Sequence, residues 1–213
     1  VRDKSVFEEK ELNELLDYLV QNKEYNKACA LSLAMNGGRR KAELPRFKVG
    51  YFRPEFTICN GALYKTPEKV KTKGRGSKGK MLELFTLASP FDPYLKLWLE
   101  ERQRLGIISE WLFPKKQDGK WIDEPMPITT LDSWSRSFTT LLGKPFYWHS
   151  LRHYFTTKLI SYDIPSSVIQ DIIGWDSADM VYRYDDTEKD QRFEKYFGSD
   201  GIKKVKSTRL EEL

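Results

Sequence analysis

The stretch from Trp148 to Asp185 constrains this chain more than any other. It reads W-H-S-L-R-H-Y-F-T-T-K, then a segment opened by Pro165, then I-G-W-D-S-A-D-M-V-Y-R-Y-D. Leu151, Phe155 and Leu159 recur at helical spacing, which requires a helix with one buried face. His149 and Arg152 stand three residues apart on that helix and so share a side. Pro165 starts a second, short helix carrying Val168, Ile169, Ile172 and Ile173, and Gly174 stops it. Trp175 follows at once, and Tyr184 comes nine residues later. An imidazole, a guanidinium and a phenol together suit a phosphodiester better than a carbonyl, because a guanidinium forks onto two phosphate oxygens. Alone, an H-x-x-R pair arises by chance in many helices, and Tyr182 and Tyr184 could be plain surface or core aromatics.

The bulk numbers fit one large domain, or a domain with a small appendage. The chain has 213 residues, of which 39% are hydrophobic, 14% aromatic and 31% charged, enough for a core. No run approaches the roughly 18 apolar residues of a membrane span, and no signal peptide opens the sequence. Cys29 and Cys59 lack C-x-x-C spacing, and with two scattered histidines they do not build a zinc site. A cytosolic, metal-free protein is expected. The net charge of +5 favours a polyanionic partner. Basic residues crowd between Lys65 and Lys80, where Lys65, Lys69, Lys71, Lys73, Arg75, Lys78 and Lys80 face only Glu68.

Taken in order, Ser5-Val-Phe-Glu8 reads as a capping box for a first helix with Leu12, Leu15, Leu16 and Leu19 on one face. A second, small and apolar helix from about Asn26 to Met35 ends at Asn36-Gly37-Gly38. Arg39-Arg40-Lys41-Ala42-Glu43-Leu44 follows on that glycine hinge, either as an anion holder or as a solvated charge run. Phe47 to Leu87 reads as strands. Phe47, Val49 and Tyr51 alternate, Asn60-Gly61 marks a hairpin, and Val70 to Lys80 is a basic, glycine-rich turn before a returning strand, Met81 to Leu87. That turn can approach a phosphate backbone closely, or can serve as a solubilising loop. Pro93 opens a helix with Leu95, Trp98 and Leu99, and Trp111 to Phe113 is a short buried segment. Lys115 to Pro127 is a polar loop. Thr130 caps a helix whose Trp134 and Phe138 are core residues. Further short helices span about Asp179–Tyr184 and Glu188–Phe197. The expected fold is mainly α with a small antiparallel β-sheet.

Gly38-Arg39-Arg40-Lys41-Ala42-Glu43-Leu44 resembles the first arginine box of the tyrosine recombinases, the phage integrase family, which reads G-x-R-x-x-E-L. His149-Ser-Leu-Arg152-His153 resembles the second box, H-x-L-R-H, and Ile173-Gly174-Trp175 resembles the L-G-H position. Tyr184 lies where the family keeps its nucleophile, and the basic hairpin falls between the boxes as the family's lysine-bearing hairpin does. The resemblance covers residues 1 to about 197 and implies the DNA breaking–rejoining catalytic fold.

It also implies chemistry. Tyr184 would attack a phosphodiester to give a 3′-phosphotyrosine, conserving bond energy so that ATP is not required. Arg40 and Arg152 would clamp the phosphate oxygens. His149 would assist proton transfer or bond a phosphate oxygen, and Trp175 would pack and donate from its indole. A hairpin lysine would protonate the leaving oxygen. Lys73, followed by glycine, fits that role best, with Lys71 and Lys78 as rivals. Arg39, Lys71, Arg75, Lys78 and Lys80 are the expected DNA contacts. The implied partner is double-stranded DNA, with tetramers on DNA for the full-length protein, a monomeric isolated domain, no metal or cofactor, and a cytoplasmic, prokaryotic or phage setting.

Residues 1–198 would form the catalytic domain. Residues 199–213 would form a tail, either intramolecular or docked on a neighbouring protomer through Ile202, Val205 and Leu210. The resemblance also implies an N-terminal DNA-clamping domain that this chain would lack, as a piece cut from a longer protein would. Asp185 and Asp186 depart from the pattern, because carboxylates beside a phosphate repel it unless they contact protein instead. Two other functions remain compatible: a repressor-like DNA binder of the same fold, and a type IB topoisomerase-like enzyme.

Overall fold

The computed structural model describes residues 6–72, 79–185 and 187–203. Helix α1 (Glu9–Gln21) forms as the leucine spacing requires, with Leu12, Leu15, Leu16 and Leu19 buried. Its cap lies three residues beyond the expected one. The Glu8 amide donates to the Glu11 carboxylate at 2.9 Å, and acids in the first turn complement the positive helix end. Ser5, the expected cap, lies outside the described residues. Helix α2 (Tyr25–Gly37) is buried continuously from Ala28 to Gly37 and stops at Gly38, which takes the left-handed conformation at φ 60°.

Phe47, Val49 and Tyr51 do not form a strand. Short 3₁₀ turns at Leu44–Arg46, Val49–Tyr51 and Pro54–Phe56 occupy this region. Pro45 and Pro54 withhold ladder donors there, and Phe47, Phe52, Tyr64 and Phe91 pack their rings together instead. Strands β1 (Thr57–Ile58) and β2 (Leu63–Lys65) flank the expected Asn60-Gly61 turn, where Cys59, Asn60 and Gly61 all have positive φ. The basic hairpin pairs β3 (Val70–Lys71) with β4 (Met81–Leu82). The returning strand then breaks, and β5 (Phe85–Leu87) pairs with β2 in a three-stranded sheet ordered β1-β2-β5.

Helix α3 (Ala88–Arg104) begins five residues before Pro93, which lies inside it and removes one helical hydrogen bond. Lys115 to Pro127 is not a plain loop. Strands β6 (Pro114–Gln117) and β7 (Lys120–Pro125) make a hairpin whose turn, Asp118-Gly119, has two positive φ angles. Helix α4 (Ile128–Leu142) starts before Thr130 and buries Leu131, Trp134 and Phe138. Helices α5 (Trp148–Ser161), α6 (Ser166–Ile173), α7 (Asp179–Tyr182) and α8 (Lys189–Tyr196) follow. A two-residue hairpin, β8 (Phe197–Gly198) with β9 (Gly201–Ile202), crosses the expected 198/199 boundary. Val205 and Leu210 lie outside the described residues.

Two apolar cores meet at α5. The larger gathers α1, α2, α3 and α4 and takes Trp148, Leu151 and Tyr154 from α5. The smaller joins Phe155 and Leu159 to Ile169, Ile173, Trp175 and Val181. One rigid helix therefore fixes both halves relative to each other. Among the described residues no helix is long and apolar enough to cross a membrane.

Leu31 is fully buried in α2 at the centre of the larger core. Leu31→Ala should lower stability by about 2–5 kcal/mol, the cost of lost burial plus a cavity. Urea unfolding followed by circular dichroism would measure it; an unchanged midpoint would mean α2 is not the central helix.

Candidate active site

The two arginine boxes meet around one buried carboxylate. Gly38 turns the chain out of α2, and a Cβ there would lie 2.8 Å from Phe155, so only glycine makes this turn against α5. The turn delivers Arg39, Arg40 and Glu43, while α5 delivers Arg152. Glu43 is 2% exposed, and its Oε2 accepts the Arg40 amide at 2.9 Å. The same oxygen stands 3.6 Å from Arg152 Nη2 and 3.9 Å from Arg39 Nη1. Arg152 also donates from Nε to the Gly38 carbonyl at 2.8 Å, so its guanidinium cannot swing.

The charges do not balance. Burial pushes the Arg152 guanidinium well below the usual arginine range, Glu43 raises it, and Arg39 and Arg40 lower it again. Arginine stays charged in proteins, so the cluster favours any additional anion. Arg40 is partly exposed, and among the described residues no hydrogen bond or ion pair engages its guanidinium. It is the arginine of the first box that is open to a ligand.

The Tyr184 ring is in contact with two others. It stacks on Trp175 at 5.3 Å and 13° and meets His153 at 5.1 Å and 46°. His153 follows Arg152 directly in α5, so this ring contact brings Tyr184 to the helix that carries the buried guanidinium. Trp175 is buried, whereas Tyr182 is 59% exposed and takes no part in this stack. Tyr184 lies just past α7, with its amide bonded to the Val181 carbonyl at 2.9 Å. Asp185 is engaged by other protein groups: it accepts the Thr187 amide at 3.1 Å and pairs with Arg192 at 3.4 Å. That resolves half of the expected repulsion; Asp186 lies outside the described residues.

His149 stands in the first turn of α5, exposed and one turn from Arg152. Lys73, Arg75 and Lys78 lie outside the described residues. Lys71 is half-buried in β3, whose Lys71 carbonyl accepts from Arg46. One expected DNA contact needs correction. Arg39 is fully buried, donating to the Gly37 and Ile172 carbonyls, because the turn after Gly38 points it inward. Lys80 is turned onto the Trp175 loop, where it bonds the Gly174 carbonyl at 3.2 Å and pairs with Asp176.

Two residues acquire roles that sequence alone did not assign. Glu43 is the shared counter-charge, and His153 forms the second wall of the Tyr184 ring. Both are motif letters in the boxes, but spacing does not show what a side chain faces. Glu43→Gln would leave two buried guanidinium groups without a counter-charge and should cost about 3–5 kcal/mol in stability. Chemical denaturation would measure it; a loss below about 1 kcal/mol, the range of an exposed pair, would remove Glu43 from this role.

The chain is similar to proteins of known family and fold. The sequence model described as "Phage integrase family" matches residues 5–191. An integrase of Salmonella phage P22 is 27% identical over 90 residues, covering 39% of this chain and 23% of that protein. Among solved structures, a XerA recombinase matches with a TM-score of 0.65 at 19% identity, over 90% of this chain and 64% of that one. The Tn1549 transposon integrase in complex with transposon right end DNA gives 0.65 at 16% identity, over 92% and 66%. XerH site-specific recombinase bound to a palindromic difH substrate gives 0.64 at 22%, over 90% and 52%. The chain thus spans about a quarter of the phage relative and half to two thirds of these structures. With a family match running through both arginine boxes and Tyr184, and the same fold, the chain belongs to the phage integrase family.

Proposed function

We propose that this chain is the strand-cleaving part of a site-specific DNA recombinase, or integrase, that cuts and rejoins DNA through a 3′-phosphotyrosine. The observation that carries the reading is the Tyr184 ring, stacked on Trp175 and touching His153, the residue next to the buried Arg152 in α5. The phenol oxygen attacks the scissile phosphorus and the 5′ oxygen leaves. The new phosphodiester keeps the bond energy, so a second 5′-hydroxyl can reverse the step on another strand. Arg40 and Arg152 hold the non-bridging oxygens as charge grows on them, and burial strengthens that attraction. His149 bonds a phosphate oxygen or moves a proton. Lys73 protonates the leaving oxygen, with Lys71 and Lys78 as the competing candidates.

The substrate is double-stranded DNA. Lys71, Arg75 and Lys78 on the basic hairpin track its backbone, a contact that weakens with salt. The XerH and Tn1549 integrase structures similar in fold are themselves DNA complexes. Residues 1–198 act as the catalytic domain. On DNA the protein assembles as a tetramer in the cytoplasm, and its tail is either intramolecular, as the pairing of β8 with β9 favours, or docked on a neighbouring protomer through Ile202.

The test uses nicked suicide duplexes from the ends of the genetic element that carries the gene. They are mixed with the protein at full genomic length and, separately, with residues 1–213. A covalent protein–DNA adduct should form on a denaturing gel, disappear in Tyr184→Phe and persist in Tyr182→Phe. Tight binding of the same duplexes without any adduct would replace this reading with that of a repressor-like DNA binder.

A further inference from the structure

We infer that Arg39 is a positioning residue for strand cleavage: a buried guanidinium tie that holds the Trp175 loop in register with the Arg40–Arg152 clamp. The inference rests on the function proposed above. In a run of Arg39, Arg40 and Lys41 beside a hinge, the undemanding arrangement leaves every charge in water. Here one is taken wholly inside, at 0% exposure. A buried charge is costly unless its donors are satisfied, so where those donors go is informative.

Arg39 Nε donates to the Gly37 carbonyl at 2.6 Å, at the end of α2. Its Nη2 donates to the Ile172 carbonyl at 3.2 Å. Its Nη1 finds no hydrogen-bond partner among the described residues and faces Glu43 at 3.9 Å, the carboxylate shared with Arg152. Ile172 is the penultimate residue of α6, so its carbonyl is one of those a helix end leaves without an internal partner, at the negative end of the helix dipole. Gly174 and Trp175 come next, and the Trp175 ring is the surface on which Tyr184 stacks. One planar group thus links the first arginine box, the shared carboxylate and the helix end from which the tryptophan springs. The Lys80 contact to the Gly174 carbonyl grips the same loop from the hairpin side.

Lysine copies this tie poorly, because its donors radiate from one nitrogen on a flexible stem, whereas the planar guanidinium fixes the bonds to Gly37 and Ile172 in one rigid geometry. A displacement of about 1 Å at a reacting group costs on the order of 100-fold in rate. Loss of the tie should therefore appear in cleavage before it appears in DNA binding, since Arg39 touches no phosphate.

Arg39→Lys and Arg39→Met are compared with wild type at full genomic length, at a temperature where circular dichroism shows each folded. Single-turnover cleavage of nicked suicide duplexes gives the rate. Duplex affinity and its salt slope are measured in a Tyr184→Phe background. The ¹⁹F resonance of 5-fluorotryptophan-labelled Trp175, assigned by Trp175→Phe, reports the loop. Both variants should cleave on the order of 10- to 100-fold more slowly, with affinity and salt slope unchanged and the Trp175 resonance shifted or broadened. Wild-type cleavage by Arg39→Lys with an unmoved resonance would overturn the proposal. So would slowing that only tracks the unfolded fraction, which would make Arg39 merely structural. A wild-type protein that forms no adduct at all would instead defeat the underlying reading of the site.

Discussion

Everything in the site depends on the sharing of Glu43 by guanidinium groups drawn from distant parts of the chain. Arg39 comes from the turn after α2 and Arg152 from α5, and both meet the same carboxylate oxygen within 4 Å. In a low-dielectric interior such charges act strongly, and one carboxylate cannot neutralise two buried guanidinium groups and the nearby Arg40. The remaining positive field makes the cluster a site for an anion. It exists only because α2 ends in a left-handed glycine pressed against Phe155, which lets the arginine box fold back onto α5.

The surrounding architecture keeps this arrangement rigid. Helix α5 belongs to both apolar cores, so Arg152 is anchored by Leu151 and Tyr154 on one side and by Phe155 and Leu159 on the other. The second core carries Trp175 and Val181, which set the height of the short α7 and of Tyr184 just beyond it. Two cations brought from elsewhere, Arg39 and Lys80, bond carbonyls at the end of α6. The Trp175 platform on which Tyr184 stacks is thus tied both to the arginine cluster and to the basic hairpin.

Much of this was legible in the sequence wherever local chemistry decides conformation. The leucine spacing of α1, the glycine stop after α2, the Asn60-Gly61 turn and the Pro165 and Gly174 limits of α6 are short-range signals with little competition. The misreadings have physical causes too. Alternation from Phe47 to Tyr51 mimicked a strand, but the neighbouring prolines favour turns and the aromatic rings pack among themselves. Asp118-Gly119 carried a hairpin signal, hidden by the polar residues of an exposed ribbon. Pro93 mimics a helix start, yet it lies inside α3, where one missing hydrogen bond in a long, well-packed helix is tolerated.

The sequence by itself determined the helix-rich fold class and the family resemblance, and it singled out Arg40, His149, Arg152, Trp175 and Tyr184 as candidates, because these are matters of residue type and spacing. Only the tertiary structure decided that Arg39 is internal, that Lys80 grips the Trp175 loop, that Glu43 is the shared counter-charge and that His153 faces Tyr184. The reason is geometric. Periodicity tells which residues share one face of one element, whereas a buried charge is assigned its partner by the meeting of elements more than a hundred residues apart, as Arg39 and Ile172 are.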